Sequence, residues 1–339
     1  MPTDETILIT GANGEIGHGL IQHLCSSRKA KIVATDMVPL DPSLHDACHT
    51  FVQGDITDPA LAARLAGEYT FTTIYHLASI LSTKGERDPE LAHHVNVDGT
   101  LGLLRLASDQ SRALGRPVKF IYPSSIAAYG IPDLETKQRE GRVVREDEWC
   151  FPATMYGVNK LACEHLGRYY AQHYRRLDPE APVRIDFRAI RFPGLISALT
   201  VPTGGTSDYG PEMLHHAAQG KPYACFVRPD SQLPFMVMPD AISALLLLES
   251  APREIVKQRV YNVTSFSPTA AEILEMILRA FPGAQITFAP DASRQGIVDS
   301  WPADVDDSAA RRQWGWKPAY DLRRSFEEYL IPSVRQRYA

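Results

Sequence analysis

Thr6-Ile7-Leu8-Ile9-Thr10 runs directly into Gly11-Ala12-Asn13-Gly14-Glu15-Ile16-Gly17, and no other stretch of the chain constrains its fold as much. An apolar, β-branched run, glycines three residues apart and then a helical pattern make a strand-to-helix turn. Such a turn suits an anion. A tight bend needs residues without Cβ, a diphosphate must approach the backbone closely, and a helix N-terminus offers unpaired N–H groups. The next strand, Lys31–Thr35, delivers Asp36 at its end. A carboxylate there accepts hydrogen bonds from an adenosine ribose and repels a 2′-phosphate, and Met37 follows it rather than Arg or Lys. The pattern selects NAD over NADP.

The same alternation continues for most of the first 265 residues. Further strands are expected at Thr50–Val52, Thr72–Leu77, Val118–Tyr122, Val183–Ile190 and Val260–Val263. Helices are expected at Gly17–Ser26, Pro59–Ala66, Glu90–Arg112, Thr154–Arg176 and Pro239–Glu249. Repeated β-then-α units make an α/β fold, a doubly wound parallel sheet with helices on both faces. Residues 193–210 are rich in Gly, Pro, Ser and Thr and read as a long loop of the kind kept for function. Helices near Ala270–Ala280, Asp306–Gln313 and Leu322–Tyr329 would build a smaller C-terminal lobe. The expected division is a dinucleotide-binding domain over 1–190, with 239–265 returning to it, and a substrate-binding lobe over 191–339.

Composition removes several classes of partner. With 35 Lys and Arg against 40 Asp and Glu, the net charge of −5 supplies no concentrated positive field for nucleic acid. The five cysteines contain no CxxC pair, which argues against a disulfide framework and for a reducing compartment. His93-His94 and His215-His216 are adjacent pairs that diverge on a helix, so no metal site is expected. The acidic start at Met1–Glu5 lacks the basic and apolar regions of a signal peptide, and the longest aliphatic run, Ala244–Leu248, is too short for a bilayer. No membrane partner is expected, and the expected location is cytoplasmic.

Tyr156-Gly157-Val158-Asn159-Lys160 places a phenol and an ammonium one turn apart on a helix face. A cation beside a phenol lowers its pKa, which equips tyrosine as a general base near neutral pH. The strand before this helix ends in Tyr122-Pro123-Ser124-Ser125, two hydroxyls at the carboxyl edge of the sheet, where open α/β sheets bind ligands.

Taken in order, Gly11–Gly17, Asp36, Gly54-Asp55-Ile56, His76-Leu77-Ala78, Asn96, Ser124-Ser125 and Tyr156–Lys160 resemble the extended short-chain dehydrogenase/reductases, the group typified by UDP-galactose epimerase. The resemblance implies a Rossmann-type sheet and an NAD site. Its residues would be Gly11, Asn13, Gly14, Glu15, Ile16, Gly17, Asp36, Asp55, Ile56, Leu77, Ala78, Ser79, Asn96, Tyr156, Lys160, Pro193, Leu195 and Ile196. Asp55 and Ile56 would flank the adenine, and Lys160 would also bind the nicotinamide ribose. Catalysis would fall to Tyr156, Lys160 and Ser125, the spacing to Tyr129-Gly130 favouring Ser125 over Ser124.

A second series narrows the resemblance. Ile80–Glu86, Arg191–Ser197, Gly204–Tyr209, Leu233–Met236, Asp299–Pro302, Asp306–Arg311 and Trp314-Gly315-Trp316 resemble the short-chain type of L-threonine 3-dehydrogenase. That likeness implies NAD-dependent oxidation of L-threonine to 2-amino-3-oxobutyrate, in a pocket lined by Ser82, Ser125, Tyr156, Thr206, Asp208 and Trp301. Thr206 and Asp208 would share one side of an extended loop, and Lys221 and Arg228 are expected to be solvated. The segment Asp133–Cys150 is longer than in that group, and Thr203 and Gln232 depart from its pattern. The group also implies a homodimer in which Glu90–Arg112 and Thr154–Arg176 form a four-helix bundle. Two alternatives are a nucleotide-sugar epimerase or dehydratase and a non-catalytic dinucleotide sensor. The first would want basic groups for a diphosphate in 195–239, where few stand. The second would have dispensed with Tyr156 or Lys160, and both are present.

Overall fold

The computed structural model describes residues 5–139, 143–178, 183–198, 200–202 and 204–339. The acidic start at 1–4, residues 140–142 of the long segment, and Leu199 and Thr203 of the expected loop lie outside the described residues.

The central sheet has seven strands. From edge to edge they are Val260–Asn262, Asp186–Phe192, Lys119–Ser125, Thr73–His76, Thr6–Thr10, Lys31–Asp36 and Thr50–Gln53. Pairings from Lys119–Ser125 across to Thr50–Gln53 are parallel, and Thr10 stands opposite both Thr35 and His76. Thr6–Thr10 is buried at every residue, as a parallel strand covered on both faces must be, which explains its apolar run without alternation. Chain order reverses beside this strand. That reversal opens the crevice where doubly wound sheets hold their ligands, and the fold is the Rossmann-type α/β sheet.

The helix expected over Glu90–Arg112 is interrupted. A short helix, Pro89–His93, passes through one wide π turn, His94–Asp98, into Gly99–Leu114, which ends on Gly115 at φ +64°. The expected helix over Thr154–Arg176 forms as Met155–Gln172. In the expected loop over 193–210, Gly194–Ile196 is instead a strand paired in parallel with Phe235–Val237. A Cβ on Gly194 would lie 2.5 Å from the Phe235 ring, so the glycine that suggests a loop is what lets this pair close.

The chain divides into two compact units, Met1–Ser124, Val158–Ile190 and Leu245–Val260 against Ser125–Gly157, Arg191–Ala244 and Tyr261–Ala339. Ser125–Gly157, expected with the domain that ends at 190, falls in the second unit. Val143–Val144 pairs with Asp304–Val305, and Asn262 Nδ2 donates to the Val144 carbonyl at 3.0 Å, which binds that segment to the C-terminal lobe. The core of the first unit gathers around Leu8, Val33, Ile74, Phe120 and Phe187, and that of the second around Tyr129, Tyr209, Phe235, Ile273 and Phe326. Among the described residues no helix is long and apolar enough to cross a membrane, and no group of three His, Cys, Asp or Glu side chains is placed to hold a metal ion.

Candidate active site

In the first unit the glycine turn has the steric character its sequence demands. Gly11 adopts φ +69°, and a Cβ there would lie 2.6 Å from the Ala78 nitrogen. A Cβ on Gly17 would lie 2.5 Å from the Gly11 carbonyl. Gly14 caps the helix Glu15–Ser27 and brings no side-chain cap to its first turn. A helix N-terminus entered through a glycine turn suits an anion, and the turn fits the diphosphate of NAD.

Asp36 and Asn13 organise the neighbouring loop. The Asp36 carboxylate accepts the Asn13 backbone N–H at 3.0 Å and the Val38 N–H at 3.3 Å. The Asn13 side chain accepts from the Asp41 N–H and donates to the carbonyls of Val38 and Pro39. One bond on each Asp36 oxygen leaves lone pairs for a ribose. Beside it Met37 and Val38 are 61% and 54% exposed, an apolar shelf next to the carboxylate. Asp55 accepts from the backbone and side chain of Thr57 and so closes its own turn, while Ile56 packs over Gly99.

Leu77 and Ala78 are hung from Thr10, whose carbonyl accepts the Leu77 N–H at 3.1 Å and whose hydroxyl accepts the Ala78 N–H at 3.2 Å. The π turn aims Asn96 at the next two residues. Its side chain accepts from the Ile80 N–H at 2.7 Å and from the Ser79 hydroxyl at 3.2 Å, and donates to the Ile80 carbonyl at 3.0 Å. Asn96, expected among the NAD ligands, is occupied in pinning Ser79 and Ile80. Ser82 is buried at the start of a short helix, Ser82–Arg87, absent from the sequence expectation. Lys160 is 4% exposed, donates from Nζ to the Pro123 carbonyl at 2.7 Å and stands 4.7 Å from the Tyr122 ring centre. Burial lowers its pKa to about 8.

The second unit contains the Ser125–Tyr156 pair. Ser125 caps a 3₁₀ turn, Ile126–Ala128, its hydroxyl accepting the Ala127 N–H at 3.1 Å. The helix carrying Tyr156 approaches this turn so closely that a Cβ on Gly157 would lie 2.0 Å from the Ala127 carbonyl oxygen. That close approach seats the phenol in hydrogen-bonding contact with Ser125. Burial nevertheless pushes Tyr156 up to about 12, opposed by the Ser125 hydrogen bond. The phenol is thus raised, where its place one turn from a lysine predicts it lowered. Desolvation outweighs what opposes it.

The pocket loop is corrected in one respect. Residues 206–208 form a turn, not an extended run, and Asp208 accepts the backbone N–H groups of Gly204 and Gly205 at 2.9 and 2.6 Å. Its carboxylate closes the loop, the local turn chemistry of short acidic residues. Arg294, which the sequence reading missed, donates to the Gly205 carbonyl at 3.1 Å. Thr206 is buried. Trp301 is 3% exposed, and its indole N–H has no partner among the described residues, a buried donor that suits a polar ligand. Pro193 and Ile196 are buried and Leu195 is half-buried along the strand paired with Phe235–Val237. Arg228, expected to be solvated, makes a two-pronged pair with Asp299 at 2.9 Å on each arm, while Lys221 is exposed.

The long segment is anchored by residues that look like surface in the sequence. Lys137 is 5% exposed and donates to the carbonyls of Gln232 and Val298 at 3.3 and 3.1 Å. Ile131 N–H donates to the Ser300 carbonyl at 2.8 Å, just before Trp301.

Residues 7–264 match the NAD dependent epimerase/dehydratase family. Over 323 residues the chain is 33% identical to the mitochondrial L-threonine 3-dehydrogenase of Bos taurus, covering 94% of this chain and 80% of that protein. Its fold superposes on a monomeric L-threonine 3-dehydrogenase from a metagenome in its apo form with a TM-score of 0.86 and 35% identity, over 98% of this chain and 100% of the other. A GalE-like L-threonine dehydrogenase from Cupriavidus necator in its holo form gives a TM-score of 0.83 and 35% identity, over 96% and 99% of the two chains.

Proposed function

The chain belongs to the NAD-dependent epimerase/dehydratase family and is an NAD-dependent oxidoreductase, and from that premise we propose that it oxidises the C3 hydroxyl of L-threonine to give 2-amino-3-oxobutyrate. The observation that carries the reading is the Tyr156 phenol hydrogen-bonded to Ser125 at the head of a helix that bears Lys160 one turn further on. The names of its relatives supply the substrate.

NAD, when bound, supplies the hydride acceptor. The glycine turn holds its diphosphate, Asp36 its adenosine ribose, and Lys160 its other ribose. Tyr156 takes the proton of the substrate hydroxyl, and Ser125 orients that hydroxyl toward the phenol. Ser82, Thr206 and the Trp301 indole N–H supply directed polar groups of the kind a small zwitterion needs. Asp208 shapes the loop that presents Thr206. A nucleotide-sugar substrate is less well served, because Arg228 is already bound to Asp299 and Lys221 is exposed.

The test is NADH formation from NAD and L-threonine by the purified chain. Formation of NADH with threonine and none with UDP-sugars supports the reading. Turnover of a nucleotide sugar and none of threonine overturns it. A homodimer belongs to the same proposal. Leu91 on the first helix of the interrupted pair and Val158 and Tyr169 on Met155–Gln172 leave apolar side chains exposed. Light scattering on the eluting species checks it, and a monomer at micromolar concentration removes the dimer from the proposal.

A further inference from the structure

Lys137 is a buried ammonium to which the proposed reaction gives no role. It stands on the short helix Leu134–Arg139 of the second unit and is 5% exposed. Its Nζ donates to the Val298 carbonyl at 3.1 Å and to the Gln232 carbonyl at 3.3 Å. Withdrawing a cation from water is costly, and hydrogen bonds and opposite charge offset that cost. Val298 lies in the last turn of Ala292–Ser300, where the carbonyl end of a helix favours a cation. The same Val298 carbonyl accepts the backbone N–H of Trp301 at 3.3 Å. Lys137 and Trp301 thus meet on one acceptor, and the Trp301 indole N–H is buried without a partner among the described residues. A second tie lies two residues on, where the Ser300 carbonyl accepts the Ile131 N–H at 2.8 Å. Between these ties, Asp299 accepts both arms of Arg228 at 2.9 Å and Gln295 Nε2 at 2.9 Å. Gln232, the other acceptor, leads into Phe235–Val237, the strand paired with Gly194–Ile196. The charged groups that face Lys137 are Asp299, Arg228 and Asp230. Burial lowers its pKa to about 8, with Asp299 opposing, so it is still a cation at neutral pH.

We infer that Lys137 is a positioning residue of the substrate pocket: by holding the Val298 and Gln232 carbonyls it fixes the turn out of Ala292–Ser300 and so sets where the Trp301 indole N–H stands. The inference rests on the reading of that N–H as a donor to L-threonine. It gives the segment Asp133–Cys150 a part in substrate recognition that involves no contact with the substrate. Without the ammonium the Gln232 carbonyl loses this donor, and the turn before Trp301 keeps the Ile131 tie but not the Lys137 one. A small substrate depends on a few directed polar groups, so a displaced donor is felt in its binding.

Fluorine NMR of the chain labelled with 5-fluorotryptophan reads the indole without turnover, the Trp301 signal being assigned by Trp301→Phe. Lys137→Met keeps the aliphatic stem and removes the donors. It is expected to move the Trp301 signal and to leave those of Trp314 and Trp316 in place. Kinetics supplies the second arm. Lys137→Met should raise the KM for threonine about tenfold with kcat little changed, the size of one lost substrate hydrogen bond. In a Trp301→Phe background the same substitution should add little, because the N–H that it displaces is already gone. An unmoved Trp301 signal, or effects on KM that simply add, overturns the inference while the functional reading stands. A loss of thermal stability with a wild-type KM shows a structural staple and overturns it equally. A wild-type chain that oxidises no threonine overturns both. Should Lys137→Met not fold, Lys137→Gln, which keeps one donor group, is read by the same signal and the same cycle.

Discussion

Asp36 holds the backbone of Asn13 at 3.0 Å, so the carboxylate at the end of the second strand also shapes the glycine turn. Two losses therefore combine in Asp36→Ala: a ribose partner and a loop contact. NAD affinity is expected to fall by more than tenfold, and the preference for NAD over NADP to narrow as repulsion of the 2′-phosphate disappears. Asp36→Asn keeps the acceptor for Asn13 and should recover part of the affinity without the selectivity. Equal use of NADP and NAD by the wild-type chain would remove Asp36 from this role.

Tyr156→Phe keeps the ring and deletes the proton acceptor. Turnover should drop by roughly 10²–10⁴, with NAD affinity little changed. Because burial raises the phenol to about 12, its deprotonated form grows as the pH rises, and kcat should climb from pH 7 to pH 9. A kcat that falls over that range would show another group to be the base.

Asp208 separates a loop-building role from substrate contact. Asp208→Ala leaves the Gly204 and Gly205 amides without their acceptor and should raise the KM for threonine about tenfold. Asp208→Asn retains an acceptor oxygen and should restore most of it. If asparagine proves as damaging as alanine, the charge itself meets the substrate. Thr206→Ala should raise KM with no such rescue, and neither substitution should alter NAD affinity.

His76 makes the fold acid-sensitive. Its folded pKa of about 3 lies below the ordinary histidine value, so the unfolded chain binds more protons in between. The stability His76 contributes is complete above about pH 6.5 and is lost as the pH falls toward 3, at up to about 1.4 kcal/mol per pH unit. The difference in unfolding free energy between wild type and His76→Asn should shrink over that window on acidification. A difference that is constant with pH would show the ring to be protonated in the folded state.

The elements legible in the sequence are those that rest on local rules. Gly11 is required by a positive φ and Thr6–Thr10 by burial on both faces, and both requirements are written in residue type. Three-residue strands such as Gly194–Ile196 and Tyr223–Cys225 are too short to carry a period. Lys137 stands in Leu134-Glu135-Thr136-Lys137-Gln138-Arg139, a polar string that reads as solvated, and its buried ammonium finds acceptors in carbonyls as distant in sequence as residues 232 and 298. Asp208 carries a signal that points two ways, since a short acid three residues after a Gly-Gly pair is a turn-closer as readily as a ligand. Gly157 stands inside the Tyr-Lys motif, and its need for a missing Cβ emerges only against the carbonyl of Ala127.

The interleaving of the two units bears on how this protein can be cut or recombined. Each unit is assembled from three separate stretches of chain, and Met155–Gln172 enters with Tyr156 in one unit and continues with Lys160 in the other. A truncated chain ending at residue 190 would lack Leu245–Val260 and keep Ser125–Gly157 without the strand Asp304–Val305 that pairs with it. No single contiguous segment of the chain contains either unit. Replacing side chains and loops in place therefore keeps both units whole, whereas exchange of one contiguous segment would cut through both.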